Sequence, residues 1–228
     1  MATKLKKIKD EEILNNYLNY VALDFPKNET QSANSINKYI NSGVALMYLY
    51  EESTNLNVVI NPEGTPQINQ FVGERSSRLN GCGSFCKKIA RHKSVLRRGW
   101  AFLTIDKTRK LAYLQYLAIF KEFRNMGYGS KFLSALKTKL KNYNALFLDC
   151  EAILNNNPIQ TKRQQFYINN GFIKSELETL CWGINYNYFY YPLKASSIKG
   201  EDLFNSLFET YLIKHNKEHL TANFKRIK

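Results

Sequence analysis

Nowhere does the sequence hold an unbroken apolar run near the roughly 20 residues that a bilayer-crossing helix requires, which sets membrane-spanning helices aside. Its first residues, MATKLKKIKDEEIL, carry positive charge with no apolar stretch behind it, so they do not read as a secretory signal. The expected address is cytoplasmic. Cysteine is scarce, with Cys82, Cys86, Cys150 and Cys181 alone in 228 residues, and these are expected as reduced thiols rather than a disulfide frame. Internal repeats and long Pro/Gly/Ser linkers are missing. Acidic residues are few, 19 against 33 Lys and Arg, for a formal charge of +14. Such a field attracts nucleic acid, anionic membranes or a phosphorylated cofactor, although lysines spread over a solvated surface give the same count.

What is present is a globular composition, 44% hydrophobic and 14% aromatic, in a chain long enough for a sizeable core. A short strand at KLKKIK precedes a helix with Asp10 as N-cap and Glu11 and Glu12 in the first turn. Ile13, Leu14, Tyr17, Leu18 and Val21 follow at helical spacing. A more polar helix is expected over residues 31–40, ending at Gly43, then a strand at VALMYLYEE. Residues 53–98 are the least readable: NPEGTPQINQ signals a turn, and CGSFCKKIARHKSVLRR suggests a short basic helix.

GWAFLTID and LAYLQYLAIF, joined at KTRK, read as a hairpin. An amphipathic helix at GSKFLSALKTKLKNY, a buried strand at ALFLDCEA and a helix ending at Gly171 come next. FIKSELETL and INYNYFYYPL supply two closing strands. From about Gly200 a last helix shows Leu203, Phe204, Leu207, Phe208, Tyr211 and Leu212 on one face, suited to packing in cis or on a second copy in a homodimer. This order predicts an α/β fold with a mixed sheet flanked by helices.

Chemistry concentrates at the loop RNMGYGS. It lies where a strand ends near Phe120 and a helix starts near Tyr128. The first amides of a helix lack intrahelical partners, and the dipole adds positive charge there. Gly127 and Gly129 let the backbone approach a bulky anion, with Arg124 and Ser130 adding donors. A pyrophosphate site and an ordinary strand-to-helix connection both fit these residues. A Walker loop does not, since GKS or GKT is absent.

Arg124-Asn125-Met126-Gly127-Tyr128-Gly129 resembles the (Q/R)-x-x-G-x-(G/A) motif of the GNAT acetyltransferase superfamily. FYINNGF, Phe166 to Phe172, resembles that family's F-Y-x-x-x-G-F, at a suitable separation. The resemblance runs over roughly residues 44–193, with the initial helices suited to it as well, but does not cover 53–98 or the C-terminal helix. It implies a GNAT-like acyl-CoA N-acyltransferase fold and acetyl transfer from acetyl-CoA to a primary amine by direct attack. It also implies that Leu117, Ala118 and Ile119 pair with the pantetheine arm, and that amides from Asn125, Met126, Gly127, Tyr128, Gly129 and Ser130 hold the pyrophosphate behind Arg124. Tyr167 matches the tyrosine placed to protonate the departing sulfur. Glu151, at a strand end, is the candidate to relay the amine's proton, or else a surface carboxylate. Gln115 stands where some relatives carry Glu, and Gln160 where the family often has Asn.

Two other constellations are weaker. Cys82, Cys86 and His92 form C-x3-C-x5-H, short of the four ligands a zinc site commonly has, so no metal is expected. KKIARHKSVLRR is the densest basic run, without a recognisable nucleic-acid signature. The expected acceptor is therefore a small-molecule or peptide amine. An RNA or polyanion module with a non-catalytic CoA site, or an enzyme acting on aminoacyl-tRNA, is the alternative. The expected organisation is an acetyltransferase domain over residues 1–195, with 53–98 a possible insertion, and a helical extension over 196–228.

Overall fold

The computed structural model describes residues 2–25, 27–60, 66–68 and 89–227. The proposed C-x3-C-x5-H constellation, with Cys82, Cys86 and the His92 side chain, lies outside the described residues. The chain forms two compact units, one from Leu5–Tyr50 with Arg98–Lys228, the other from Met1–Lys4 with Glu51–Arg97. The strands are β1 (Ala2–Lys7), β2 (Ala45–Ile60), β3 (Pro66–Ile68), β4 (Ile89–Asp106), β5 (Leu111–Ile119), β6 (Ala145–Glu151), β7 (Ile173–Cys181), β8 (Ile184–Pro192) and β9 (Phe224–Arg226). The helices are α1 (Asp10–Asp24), α2 (Ala33–Asn41), α3 (Tyr128–Lys139), α4 (Pro158–Asn169), α5 (Gly200–Leu212) and α6 (Lys217–Asn223).

The sheet runs β1-β2-β4-β5-β6-β8-β7-β9, with β3 paired to β2. The β4–β5 and β7–β8 pairs are antiparallel hairpins, while β5 and β6 are parallel and are bridged by α3. In the smaller unit, the basic segment from Ile89 onward is strand, not the short helix its composition suggests. Lys9 caps α1, one residue before the expected Asp10. Ser32 caps α2 by accepting from the Ser35 amide.

Alternation along the strands divides the core into layers. On one face, Ala112 and Leu114 of β5 and Leu146, Leu148 and Cys150 of β6 pack against Phe132, Leu133 and Leu136 of α3. On the other, Trp100, Phe102, Tyr116 and Ala118 meet Ile13, Tyr17 and Val21 of α1 and Ile36 and Tyr39 of α2. Farther along that face, Tyr113, Phe147 and Tyr188 are covered by Leu203, Leu207 and Tyr211 of α5. The apolar stripe of α5 thus packs in cis. Phe224 of β9 stacks on Phe204 at 5.1 Å and closes that layer.

One irregularity shapes everything near the C-terminal end of β5. Leu103 pairs with Leu114 and Phe102 with Tyr116, so Gln115 is an extra residue in a β-bulge. Beyond it, the residues facing α3 are Leu117 and Ile119 instead of Tyr116 and Ala118. Gly99, opposite Ile119, admits no side chain: a Cβ there would lie 2.2 Å from the Ala118 carbonyl oxygen.

Because Leu207 is fully buried in the α5 layer, Leu207→Ala should cost about 2–5 kcal/mol of unfolding free energy. A shifted urea midpoint for the whole large unit is the expected reading. A change confined to the last helices would show that they fold apart from the sheet.

Candidate functional site

Parallel pairing between β5 and β6 stops at Tyr113 and Phe147. Past that point β5 stays bonded to β4 as far as Ile119, and β6 to β8 as far as Glu151. The two strands therefore part while each keeps its outer neighbour. A cleft of about 690 Å³ opens there, lined by Leu117, Ala118 and Ile119 on one side and Asp149, Cys150 and Glu151 on the other.

The glycine loop borders this cleft. A short 3-10 turn at Lys121–Phe123 leads to Arg124 in extended conformation, then to Asn125 at φ 62° and Gly127 at φ 75°. These left-handed residues turn the chain abruptly into α3. Gly127 is the N-cap and supplies no side-chain cap, so the first-turn amides have no intrahelical or capping acceptor from that residue. A Cβ on Gly127 would meet nothing within 4 Å: its conformation requires glycine, and the space beside it is open. Gly129 serves differently from the sequence expectation. A Cβ there would come 3.0 Å from Phe166, so this glycine lets α3 sit close on α4.

Arg124 also differs from expectation. Its Nη2 pairs with Asp24 Oδ1 at 2.8 Å and its Nε donates to the Ile119 carbonyl at 2.9 Å. Asp24 in turn accepts from Trp100 Nε1 at 2.9 Å. The guanidinium thus ties the loop to α1 and the end of β5. Met126 is exposed, Ser130 is exposed at the helix start, and Tyr128 packs its ring between Tyr50 and Phe123.

Tyr167 lines the cleft from α4, with its ring edge-on to Phe166 and Phe172. Burial raises its pKa far above that of a free phenol, so it holds its proton throughout the neutral range. Cys150, also beside the cleft, is pushed up to about 12 by burial, as is Cys181. Neither thiol is ionised near neutrality.

Glu151 reaches the cleft, but its Oε2 accepts from Gln160 Nε2 at 3.0 Å and its carbonyl accepts from Gln164 at 2.8 Å. Gln160 also accepts from the Leu154 amide, so it fastens α4 to the end of β6. A second carboxylate lies deeper. Asp149 accepts from Tyr113 Oη at 2.7 Å, and burial raises its pKa despite that bond. The sequence carries a sign of it, a lone acid within the apolar strand LFLDC. By strand alternation Asp149 and Cys150 point to opposite faces, so Asp149 faces Tyr113 and Tyr211 while Cys150 faces α4.

The end of the cleft beyond Asp149 is built by segments far apart in sequence. Gln31 donates to Gln115 at the bulge, and Gln115 donates to Thr104 at 2.9 Å. Tyr116 Oη donates to the Glu29 carbonyl at 3.0 Å, which fixes the connection between α1 and α2. Trp182, Tyr186, Tyr211 and Lys214 complete the wall. Lys214 Nζ donates to Gln31 Oε1 at 3.3 Å, and burial lowers its pKa to about 8.

Among the described residues, no group of His, Cys, Asp and Glu is arranged to hold a metal, and no helix is long and apolar enough to cross a membrane. The "Acetyltransferase (GNAT) family" model matches residues 61–167, ending on Tyr167. The fold is similar to that of a Bacteroides thetaiotaomicron protein assigned to the GNAT family, at TM-score 0.54 and 14% identity over 90% of this chain and 93% of that one. It is similar also to the ribosomal-protein-S18-alanine N-acetyltransferase of Escherichia coli, at TM-score 0.50 and 11% identity over 86% and 97% of the two chains. No curated protein sequence matches the chain. A matching family model, a mixed sheet that parts at its parallel pair and a glycine loop at that parting converge: residues 61–167 match the acetyltransferase domain of the GNAT family, which marks an acyltransferase.

Proposed function

We propose that the chain moves an acetyl group from acetyl-CoA to a primary amine by direct attack. One observation supports this above the rest. The unpaired edge of β5 and the uncapped first turn of α3 open onto one cleft with Tyr167 and Asp149.

The site has the features acetyl-CoA needs. The β5 edge at Leu117, Ala118 and Ile119 that β6 leaves unpaired offers peptide groups to an amide-bearing arm, apart from the Ile119 carbonyl that Arg124 holds. Amides from Asn125 through Ser130 suit a pyrophosphate, and Gly127 leaves room for it. Arg124 holds the loop in shape through Asp24 and adds nearby positive charge. When bound, acetyl-CoA supplies the acetyl group as an activated thioester.

Tyr167 keeps its proton at Oη because burial disfavours the phenolate, and it donates that hydrogen toward the departing sulfur. Its raised pKa makes it a hydrogen-bond donor to the developing thiolate rather than a strong acid. Asp149 accepts the amine's proton at its carboxylate; burial makes it a stronger base than an ordinary aspartate. Glu151, fastened by Gln160, is assigned to holding α4 rather than to proton transfer. The high thiol pKa values of Cys150 and Cys181 favour direct attack over a cysteine-bound intermediate.

Calorimetric titration with acetyl-CoA should show one site. Gly127→Val should weaken it by roughly tenfold or more, because a branched residue resists φ 75°. No heat of binding for the unaltered protein would end this reading.

Tyr167→Phe should lower kcat by about 100-fold with little change in acetyl-CoA affinity. An equal loss in both would assign Tyr167 to packing. For Asp149, whose pKa is raised, kcat/KM should fall as the pH drops through that elevated value and protonates the base. Asp149→Asn should remove this acid limb along with about 100-fold or more of the rate, whereas Glu151→Gln should leave the limb in place. A limb that disappears in the Glu151 variant instead would move the base to that residue.

A further inference from the structure

We propose that the acceptor is a compact amino-carboxylate, an amine whose own carboxylate is held by Lys214 while its amino group lies at Asp149. This deepens the acetyltransferase reading above and rests on it.

Lys214 is a partly buried cation with little to balance it. Its Nζ donates to the neutral Gln31 Oε1 at 3.3 Å and lies over the rings of Tyr211 at 4.9 Å and Tyr39 at 5.8 Å. Among the described residues, no carboxylate stands within ion-pair distance of it. An ammonium group carries three hydrogens and accepts none, so the Gln31 bond leaves donors over. The residue lines the cleft. Burial lowers its pKa to about 8, as expected of a charge that lacks a compensating anion. An incoming carboxylate supplies that anion.

Asp149 provides the opposite pole. Its partner Tyr113 Oη lies 3.5 Å from Tyr211 Oη, and the Tyr211 ring lies under Lys214, so two tyrosines stand between acid and base. Each charge acts on the other without an ion pair forming. A ligand with both charges satisfies both ends. A polyamine would bring further positive charge against Lys214 and satisfy only Asp149. The cleft of about 690 Å³ must also take the donor along β5, which leaves room for a compact acceptor.

Lys214 is also held in place. Its amide donates to the Tyr211 carbonyl at 3.1 Å, and its carbonyl accepts from Lys38 Nζ at 3.2 Å. The ammonium is therefore set on the cleft by its backbone as well as by Gln31.

The test is thiol release from acetyl-CoA with matched acceptors: glycine, β-alanine, 4-aminobutyrate and tyrosine against methylamine, ethylamine, propylamine and tyramine, with spermidine alongside. Acetyl-CoA binding is first confirmed by calorimetry. Its failure overturns the acetyltransferase reading together with this one, whereas binding without carboxylate preference overturns this one alone. At least one carboxylate-bearing acceptor should exceed its matched amine in kcat/KM by roughly 10- to 100-fold, mostly through KM, as expected for a charged hydrogen bond. Lys214→Met should bring the pair to parity, and Lys214→Arg should restore the preference. Preference for spermidine or the plain amines, no transfer to either class, or a preference that survives Lys214→Met would each overturn the proposal. The comparison in the unaltered protein stands even if the Met variant fails to fold.

Discussion

The site depends on a single backbone event, the extra residue at Gln115. A parallel pair cannot open by itself without stranding peptide groups, since buried N–H and C=O groups need partners. Here β4 keeps its bonds to β5 through Ile119 and β8 keeps its bonds to β6 through Glu151, so the parting strands lose pairing on one edge only. The bulge turns β5 over at the same place. Tyr113 before it faces α5, whereas Leu117 and Ile119 after it face α3. A regular strand would have put Leu117 and Ile119 on the same face as Tyr113.

The bulge is secured by polar contacts between distant segments. Gln115 donates to Thr104 on β4 and accepts from Gln31, and Gln31 takes the Lys214 ammonium. The amide of Gln31 is itself bonded to the hydroxyls of Tyr17 and Tyr116. Strand, inter-helix connection and C-terminal segment thus meet in one part-buried network, in surroundings rich in tyrosine. In such a place charges keep more of their strength than at the surface. The +14 of the chain as a whole says little about a cleft whose character comes from Asp149 and Lys214.

Much of the fold was legible from the sequence, because the helices α1, α3 and α4 and the β4–β5 and β7–β8 hairpins carry their own periodicity and turn residues. The loop at Gly127 was legible for the same local reason: only glycine is comfortable at its φ. Less visible were features decided by distant partners. LAYLQYLAI reads as plain alternation, and nothing local marks Gln115 as the residue that steps out. Arg124 looked like a phosphate ligand because Asp24, 100 positions away, cannot be paired with it from sequence. The stretch from Ile89 has the composition of a basic helix but lies in a strand that follows the sheet order beside β2, a choice made by pairing rather than by propensity. Lys214 follows an apolar helix whose stripe shows that it packs, not what it packs against.

That last point explains how donor and acceptor ends divide along the chain. The family match stops at Tyr167, so it takes in β5, the glycine loop, β6 and most of α4. Trp182, Tyr186, Tyr211 and Lys214 lie after it, and Glu29 and Gln31 before it. These outer segments lie outside the match, and the C-terminal one is firmly seated: Leu203 and Leu207 are fully buried, Tyr211 nearly so, and Phe224 pins α5 from β9. A helix anchored by its apolar face can change the polar residue at its end without disturbing the core. On the proposed reading, the chemistry of the donor is fixed by backbone geometry inside the matched region. The choice of acceptor is then carried by side chains outside it, where one substitution alters the charge presented to the incoming amine.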